Sequence, residues 1–271
     1  MEQVVLITGA SNGMGFEAAK LFAERGWQVV AGARRVEKIP EDARISALKL
    51  DVTDSASNQA FVQTALEQFG RIDVLINNAG YGEYGPSEEI SLEKIRYQFD
   101  VNFFGAVELA QLVLPTMRAQ KSGRIINISS VVANIYMPFG AYYEATKAAM
   151  NQWSDALDME ISPFGVHSLI VQPAGTESNW NAIAMGNATQ NLTENSPYEP
   201  AVKAFLKAME KIGASSATSQ DLAQIFYQAA TDKKPKLRYF NAMSDRLNVR
   251  VSKSHPRLFK KVMGNMIKGR V

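Results

Sequence analysis

The 271-residue sequence contains no cysteine. Disulfides, thiolate metal sites and cysteine nucleophiles are excluded together, and the composition suits a reducing compartment. Histidine is nearly as scarce: His167 and His255 stand alone, and neither ends a strand, so both are read as structural and no metal site is expected. Long apolar runs are missing too. No stretch reaches the ~18 residues of a membrane helix. The first apolar run, Val4 to Ile7, is too short for a secretory segment and leads directly into a glycine-rich turn. A cytoplasmic protein is expected, in which the Asn-x-Ser/Thr sequons at Asn127, Asn187 and Asn191 have no consequence. A net charge of +2 is too weak to argue for nucleic acid.

What is present alternates regularly. Val4–Thr8 reads as a buried strand, Gly13–Arg25 as a helix ended by Gly26, and Gln28–Gly32 as a second strand. Strands follow at Ile45–Leu50, Val74–Asn77, Arg124–Ile128 and Val166–Gln172. Between them lie helical patterns at Ala56–Phe69, at Leu92–Met117 as one long helix, and at Ala141–Ile161. Helical patterns resume at Ala201–Ile212 and Ser219–Thr231, and Lys236–Tyr239 reads as a last edge strand. Strands separated by helices predict an α/β fold, a doubly wound parallel sheet of about seven strands. One domain spanning 1–271 is expected. The Asn-, Thr- and Ser-rich stretch from about 174 to 200 reads as a lid or binding loop.

Ligands of such sheets bind at the carboxyl ends of the strands. There fall the turn Thr8-Gly9-Ala10-Ser11-Asn12-Gly13-Met14-Gly15, the element Asn77-Asn78-Ala79-Gly80, Ser130 and Pro173. Glycines let backbone approach a pyrophosphate, whose charge a helix N-terminus stabilises. The second strand ends in Ala33-Arg34-Arg35, where a site for NAD would carry a carboxylate. A guanidinium suits a 2′-phosphate, so NADP(H) is the expected cofactor, with NAD(H) second; solvated surface charge is the other reading of the arginines. Asp51, followed by Val52, is placed to accept from an adenine amine or, alternatively, to cap the next helix.

Tyr143 and Lys147 are four apart in one helix and share a face. An ammonium beside a phenol favours the phenolate, so Tyr143 is expected below its usual pKa, with Lys147 and the positive nicotinamide of an oxidised cofactor as the sources. It then serves as acid toward a forming alkoxide, or as base in reverse. Ser130 is placed to orient a carbonyl. Asn102, a poor helix former inside an apolar helix, either kinks the helix and holds a water leading toward Lys147, or satisfies nearby backbone.

These residues together resemble the short-chain dehydrogenase/reductase family over residues 3 to about 180. The family's Thr-Gly-x3-Gly-x-Gly turn matches Thr8, Gly9, Gly13 and Gly15, and its Asn-Asn-Ala-Gly element matches Asn77 to Gly80. Its catalytic Asn, Ser, Tyr and Lys match Asn102, Ser130, Tyr143 and Lys147. The resemblance implies a Rossmann fold, NAD(P)-dependent hydride transfer, Lys147 on the nicotinamide ribose, and Arg34 of the NADP-preferring type. The family's Pro-Gly and later threonine depart here to Pro173-Ala174-Gly175-Thr176-Glu177-Ser178: either the glycine is displaced to Gly175 or Ala174 replaces it, Ser178 stands for the threonine, and Pro173, Gly175, Thr176 and Ser178 are the cofactor contacts that the resemblance implies.

The expected reaction is reduction of a carbonyl, or oxidation of a secondary alcohol, on a modest apolar small molecule. Tyr84, Val132, Tyr136, Phe139, Trp180 and Met185 are candidate pocket residues. The alternative is a catalytically silent NADP-binding regulator. The resemblance also implies a homodimer or homotetramer built through the helices near 92–117 and 141–161. Residues 241–271 form a basic amphipathic tail, read as a helix packed on its own domain or as a cover for a subunit or an anionic membrane surface.

Overall fold

The computed structural model describes residues 2–176, 179–213 and 217–268. The chain order is β1 (Val4–Thr8), α1 (Gly13–Glu24), β2 (Gln28–Ala33), β3 (Ile45–Lys49), α2 (Ser55–Phe69), β4 (Val74–Asn77), α3 (Leu92–Phe99), α4 (Gly105–Gln120), β5 (Gly123–Ile128), α5 (Ala141–Ile161) and β6 (Val166–Gln172). It continues with α6 (Asn179–Gln190), α7 (Glu199–Gly213), α8 (Ser219–Thr231), β7 (Arg238–Phe240), α9 (Met243–Ser254) and α10 (Pro256–Met266). The strands form one sheet in the order β3-β2-β1-β4-β5-β6-β7. Every pairing is parallel.

Alternation along the strands divides the core. Val5 and Ile7 of β1 face a cluster with Phe22 and Phe226 from α1 and α8. Val4 and Leu6 face the opposite layer, with Phe61, Leu109 and Leu157 from α2, α4 and α5. The sheet is therefore covered on both sides, as an all-parallel sheet requires. Strand order reverses between β1 and β4, which opens a crevice at their carboxyl ends. A third cluster lies over that edge, where residues of α6, α7, α9 and α10 meet Tyr84, Val132 and Tyr143.

Two expectations are corrected. The helix predicted from 92 to 117 is not continuous α-helix: a π-helical turn, Asp100–Phe104, separates α3 from α4. The extra residue of such a turn rotates the side chains that follow, a feature frequent at functional sites. The stretch 174–200 is not a loop throughout, because α6 occupies twelve of its residues. Its apolar residues Trp180, Ile183 and Ala184 recur at helical spacing, but the many Asn and Thr between them weaken the pattern.

Candidate active site

The glycine turn is locked to the end of β4 by two side chains. Thr8 Oγ1 accepts the N–H groups of Asn78 (3.0 Å) and Ala79 (2.9 Å). In return, Asn78 Nδ2 donates to the carbonyls of Thr8 (2.9 Å) and Gly9 (3.3 Å). The backbones come so close that a Cβ on Gly15 would stand 2.5 Å from Asn78 Nδ2 and 2.6 Å from the Gly9 carbonyl oxygen. Gly9 itself has φ +69, a conformation open to glycine. The result is a cradle of main chain at the N-terminus of α1, fitted in shape and polarity to a pyrophosphate.

That cradle is one wall of a cleft of about 560 Å³. Of the predicted cofactor residues, Gly9, Ser11, Asn12, Gly13, Met14, Arg34, Arg35, Asp51, Val52, Asn78, Ala79 and Gly80 line it. Gly15 lies behind the turn as a packing residue. Both arginines are exposed, and Arg34 Nη1 donates to the Tyr97 hydroxyl at 3.0 Å. One oxygen of Asp51 accepts from the Thr53 N–H (3.0 Å) and hydroxyl (2.8 Å). The cap of α2 is Asp54, whose carboxylate accepts the Ala56 N–H at 3.1 Å. Pro173, Gly175 and Thr176 are not part of the cleft wall. The Pro173 carbonyl accepts from Val131 N–H, the Gly175 carbonyl from Ala217 N–H, and Thr176 bridges to Ala217. Ser178 lies outside the described residues.

Ser130, Tyr143 and Lys147 are buried and do not line the cleft; Lys147 stands behind its wall residue Gly80. A Cβ on Gly80 would lie 3.5 Å from its Nζ and 3.1 Å from Asn102 Oδ1. Lys147 Nζ donates to the Ile128 carbonyl at 2.8 Å and sits 5.8 Å from the centre of the Tyr143 ring. The two side chains thus converge from adjacent turns of α5. Ser130 follows β5 and accepts the Val132 N–H at 3.3 Å, while its hydroxyl donates to the Pro173 carbonyl at 3.3 Å. Asn102, from the π-helical turn, clasps the backbone of one residue: its Oδ1 accepts from Tyr81 N–H and its Nδ2 donates to the Tyr81 carbonyl, both at 2.9 Å. Nδ2 also donates to Thr146 Oγ1 at 3.1 Å, which ties the turn to α5. The amide therefore satisfies backbone, and that backbone is 21 residues away in sequence.

The expected lowering of the Tyr143 pKa is not found. Burial pushes the phenol well above its usual value, with Glu144 adding to the rise and the Ser130 hydroxyl partly offsetting it. Burial also lowers the Lys147 ammonium to about 8. Desolvation acts against charge on both groups. The phenol accordingly holds its proton at neutral pH.

Most of the predicted substrate pocket converges. Tyr84 lies 5.8 Å from Tyr143 between ring centres, Trp180 5.0 Å from Tyr143, and Phe205 5.5 Å from Phe139. Val132, Phe139, Trp180 and Met185 belong to the same cluster as Tyr84 and Tyr143. Tyr136 does not: its hydroxyl donates to the Pro256 carbonyl at 3.0 Å and its ring meets Phe259 of α10. The cleft also has walls that sequence reasoning missed, including Tyr81, Lys94, Tyr97, Val101 and Asn187. A signal existed for part of this set, since 94, 97 and 101 recur at helical spacing on one face.

Residues 3–186 match the family model described as short chain dehydrogenase. The chain is 33% identical over 245 residues to Oxidoreductase BOA17 of Botryotinia fuckeliana, covering 88% of each chain. It is 34% identical over 236 residues to the 3-ketodihydrosphingosine reductase of Bacteroides thetaiotaomicron, covering 87% of this chain and 86% of that relative. Its fold superposes on the crystal structure of a short-chain dehydrogenase from Streptomyces avermitilis with a TM-score of 0.82, at 29% identity, over 100% of this chain and 98% of the other.

Proposed function

The chain belongs to the short-chain dehydrogenase/reductase family of oxidoreductases, and from that premise we propose that it is an NADP(H)-dependent enzyme acting on a carbonyl or secondary alcohol, with Tyr143 as its acid and base. The observation that carries this reading is the convergence of Tyr143 and Lys147 directly behind Gly80 and Trp180, two wall residues of the glycine-walled cleft. Main chain of residues 9–14 would hold the pyrophosphate, Asp51 and Val52 the adenine, and Lys147 the nicotinamide ribose. When bound, the nicotinamide supplies or takes the hydride. Arg34 and Arg35, with Ala33 where a carboxylate would exclude a phosphate, favour the 2′-phosphate.

Tyr143 donates its phenolic proton to the oxygen of a carbonyl as that oxygen gains charge. Ser130 holds the same oxygen and keeps the carbonyl in register with the phenol. Lys147, protonated below about pH 8, stabilises the charge left on Tyr143. A phenol that keeps its proton is in the form that donates to a developing alkoxide. Tyr84, Phe139 and Trp180 exclude water and fit an apolar molecule. The protein is proposed to work in the cytoplasm as one 271-residue domain, in a homodimer or homotetramer.

Turnover of NADPH with a panel of carbonyl compounds tests the reading. Tyr143→Phe is expected to lower kcat by about 10²- to 10⁴-fold with cofactor binding retained. Arg34→Ala is expected to reduce the NADPH-over-NADH ratio of kcat/KM by about 10- to 150-fold. Cofactor binding without turnover on any carbonyl would point to the silent regulator, and equal use of NADPH and NADH by the parent chain would remove the cofactor preference.

A further inference from the structure

Charge is unevenly divided along this chain. Residues 241–271 hold eight of the 29 basic residues and one of the 27 acidic ones, a net +7. The first 240 residues therefore carry −5. The basic segment is folded into α9 and α10, and each helix has two distinct faces. Inward, Val249 and Met266 are buried in the cluster that contains Tyr84 and Tyr143. Outward, Met243, Leu247 and Val251 repeat every four residues along α9, exposed by 76, 59 and 39%. Leu258 and Val262 do the same on α10, exposed by 57 and 48%.

Exposed cations flank both apolar stripes. On α9 they are Arg246, Arg250 and Lys253, and on α10 Arg257, Lys260 and Lys261. Among the described residues, no salt bridge engages any of these six. We propose that the outer face of α9 and α10 is a docking surface for an anionic lipid bilayer. Apolar side chains beside long basic ones are the arrangement that enters the headgroup boundary, with ammonium and guanidinium groups reaching the phosphates. Twelve and eleven residues are too few to cross a bilayer, and no described helix is long and apolar enough to do so, so the helices lie on the surface. The negative charge of the remaining chain is repelled by the same surface, which leaves this face as the one that docks.

The docked face adjoins the candidate substrate region. Tyr136 donates to the Pro256 carbonyl, and Ser252 Oγ donates to the Asn134 carbonyl at 3.2 Å. The segment after Ser130 thus rests on the tail. Taken with the reaction proposed above, on which this clause rests, docking points to a lipophilic ketone or alcohol drawn from the bilayer.

Flotation of the full chain with vesicles tests the docking without reference to turnover. Vesicles of phosphatidylcholine alone are compared with vesicles also containing phosphatidylglycerol, at low and high salt. The apparent partition coefficient is expected to be at least about tenfold higher on the anionic vesicles and to fall as salt rises. The pair Leu247→Ser and Leu258→Ser, and separately the pair Lys260→Glu and Lys261→Glu, are each expected to lower it at least about tenfold at unchanged melting temperature. A chain that floats with neither vesicle overturns the proposal, as does a leucine variant that floats like the parent. If the leucine substitutions instead reduce the particle mass in light scattering without vesicles, the face belongs to a second copy and the proposal is overturned. A ketone embedded in the same vesicles and a water-soluble ketone are then offered with NADPH. Preferential loss of turnover on the embedded one in the leucine variant supports the lipid-drawn substrate. Turnover of neither by the parent counts against the reaction, and leaves the flotation result standing.

Discussion

Glu144 stands next to Tyr143 in α5 and takes no part in the proposed chemistry. Its carboxyl is buried, accepts the Met137 N–H at 2.8 Å, and is raised by burial to about 8. A folded-state pKa above the unfolded one means that the folded state binds more protons between the two values. Stability from this group is therefore complete below the ordinary carboxyl range and is lost as pH climbs through about 8. Lys147 works in the other sense: with its ammonium lowered to about 8, the unfolded state binds more protons above that value, and stability recovers as pH rises toward the ordinary lysine range. Glu144→Gln isolates the first effect, because an amide keeps the acceptor for Met137 and cannot ionise. In urea denaturation the variant is expected to match the parent near pH 5 and to exceed it by about 3 kcal/mol near pH 8.5. Equal stabilities at the higher pH would mean that the carboxyl ionises inside the fold without penalty.

At the scale of the element, the site depends on one close approach and one irregular turn. The βα turn is held against β4 by Thr8 and Asn78, so Gly15→Ala is expected to push that contact apart. Melting should fall by an amount worth about 1–3 kcal/mol, and the KM for cofactor should rise more than the KM for carbonyl substrate. Gly186 in α6 is the control: nothing lies within 4 Å of a Cβ placed there. Gly186→Ala is expected to be neutral, or stabilising by about 0.5–1 kcal/mol. The same elements explain what could be read in advance. The glycines, the two arginines and the Tyr143–Lys147 pair are local signals, and each fell where the strand and helix periods put it. The π-helical turn was hidden, because Asn102 is stabilised by backbone 21 residues away that no helical period reveals. Helix α6 was hidden by composition. The raised phenol was missed because spacing gives the distance to a neighbour, whereas burial depends on the whole third cluster closing over Tyr143.

At the scale of the molecule, two of the exposed apolar regions differ in charge. The tail face is ringed by cations. The side formed by the π-helical turn and α5 is not: Phe104 in that turn is 55% exposed and Met159 on α5 is 73% exposed, with Phe103 edge-on against Trp153. An apolar face without a basic rim gains little from an anionic bilayer and more from a self-complementary copy of itself, which is how closed dimers form. It is also the outer side of the helix whose inner side carries Tyr143 and Lys147, so a partner there would stiffen the element that aligns them. Light scattering of the parent chain is accordingly expected to give a multiple of 29.8 kDa. Phe104→Glu with Met159→Glu places like charges across a two-fold interface and is expected to return the mass to a single chain, with far-ultraviolet circular dichroism unchanged. Because the tail is untouched, the dissociated variant should still float with anionic vesicles. A parent that is already monomeric, or a double variant that keeps the parent's mass, would remove the π-helical turn and α5 as the seam between subunits.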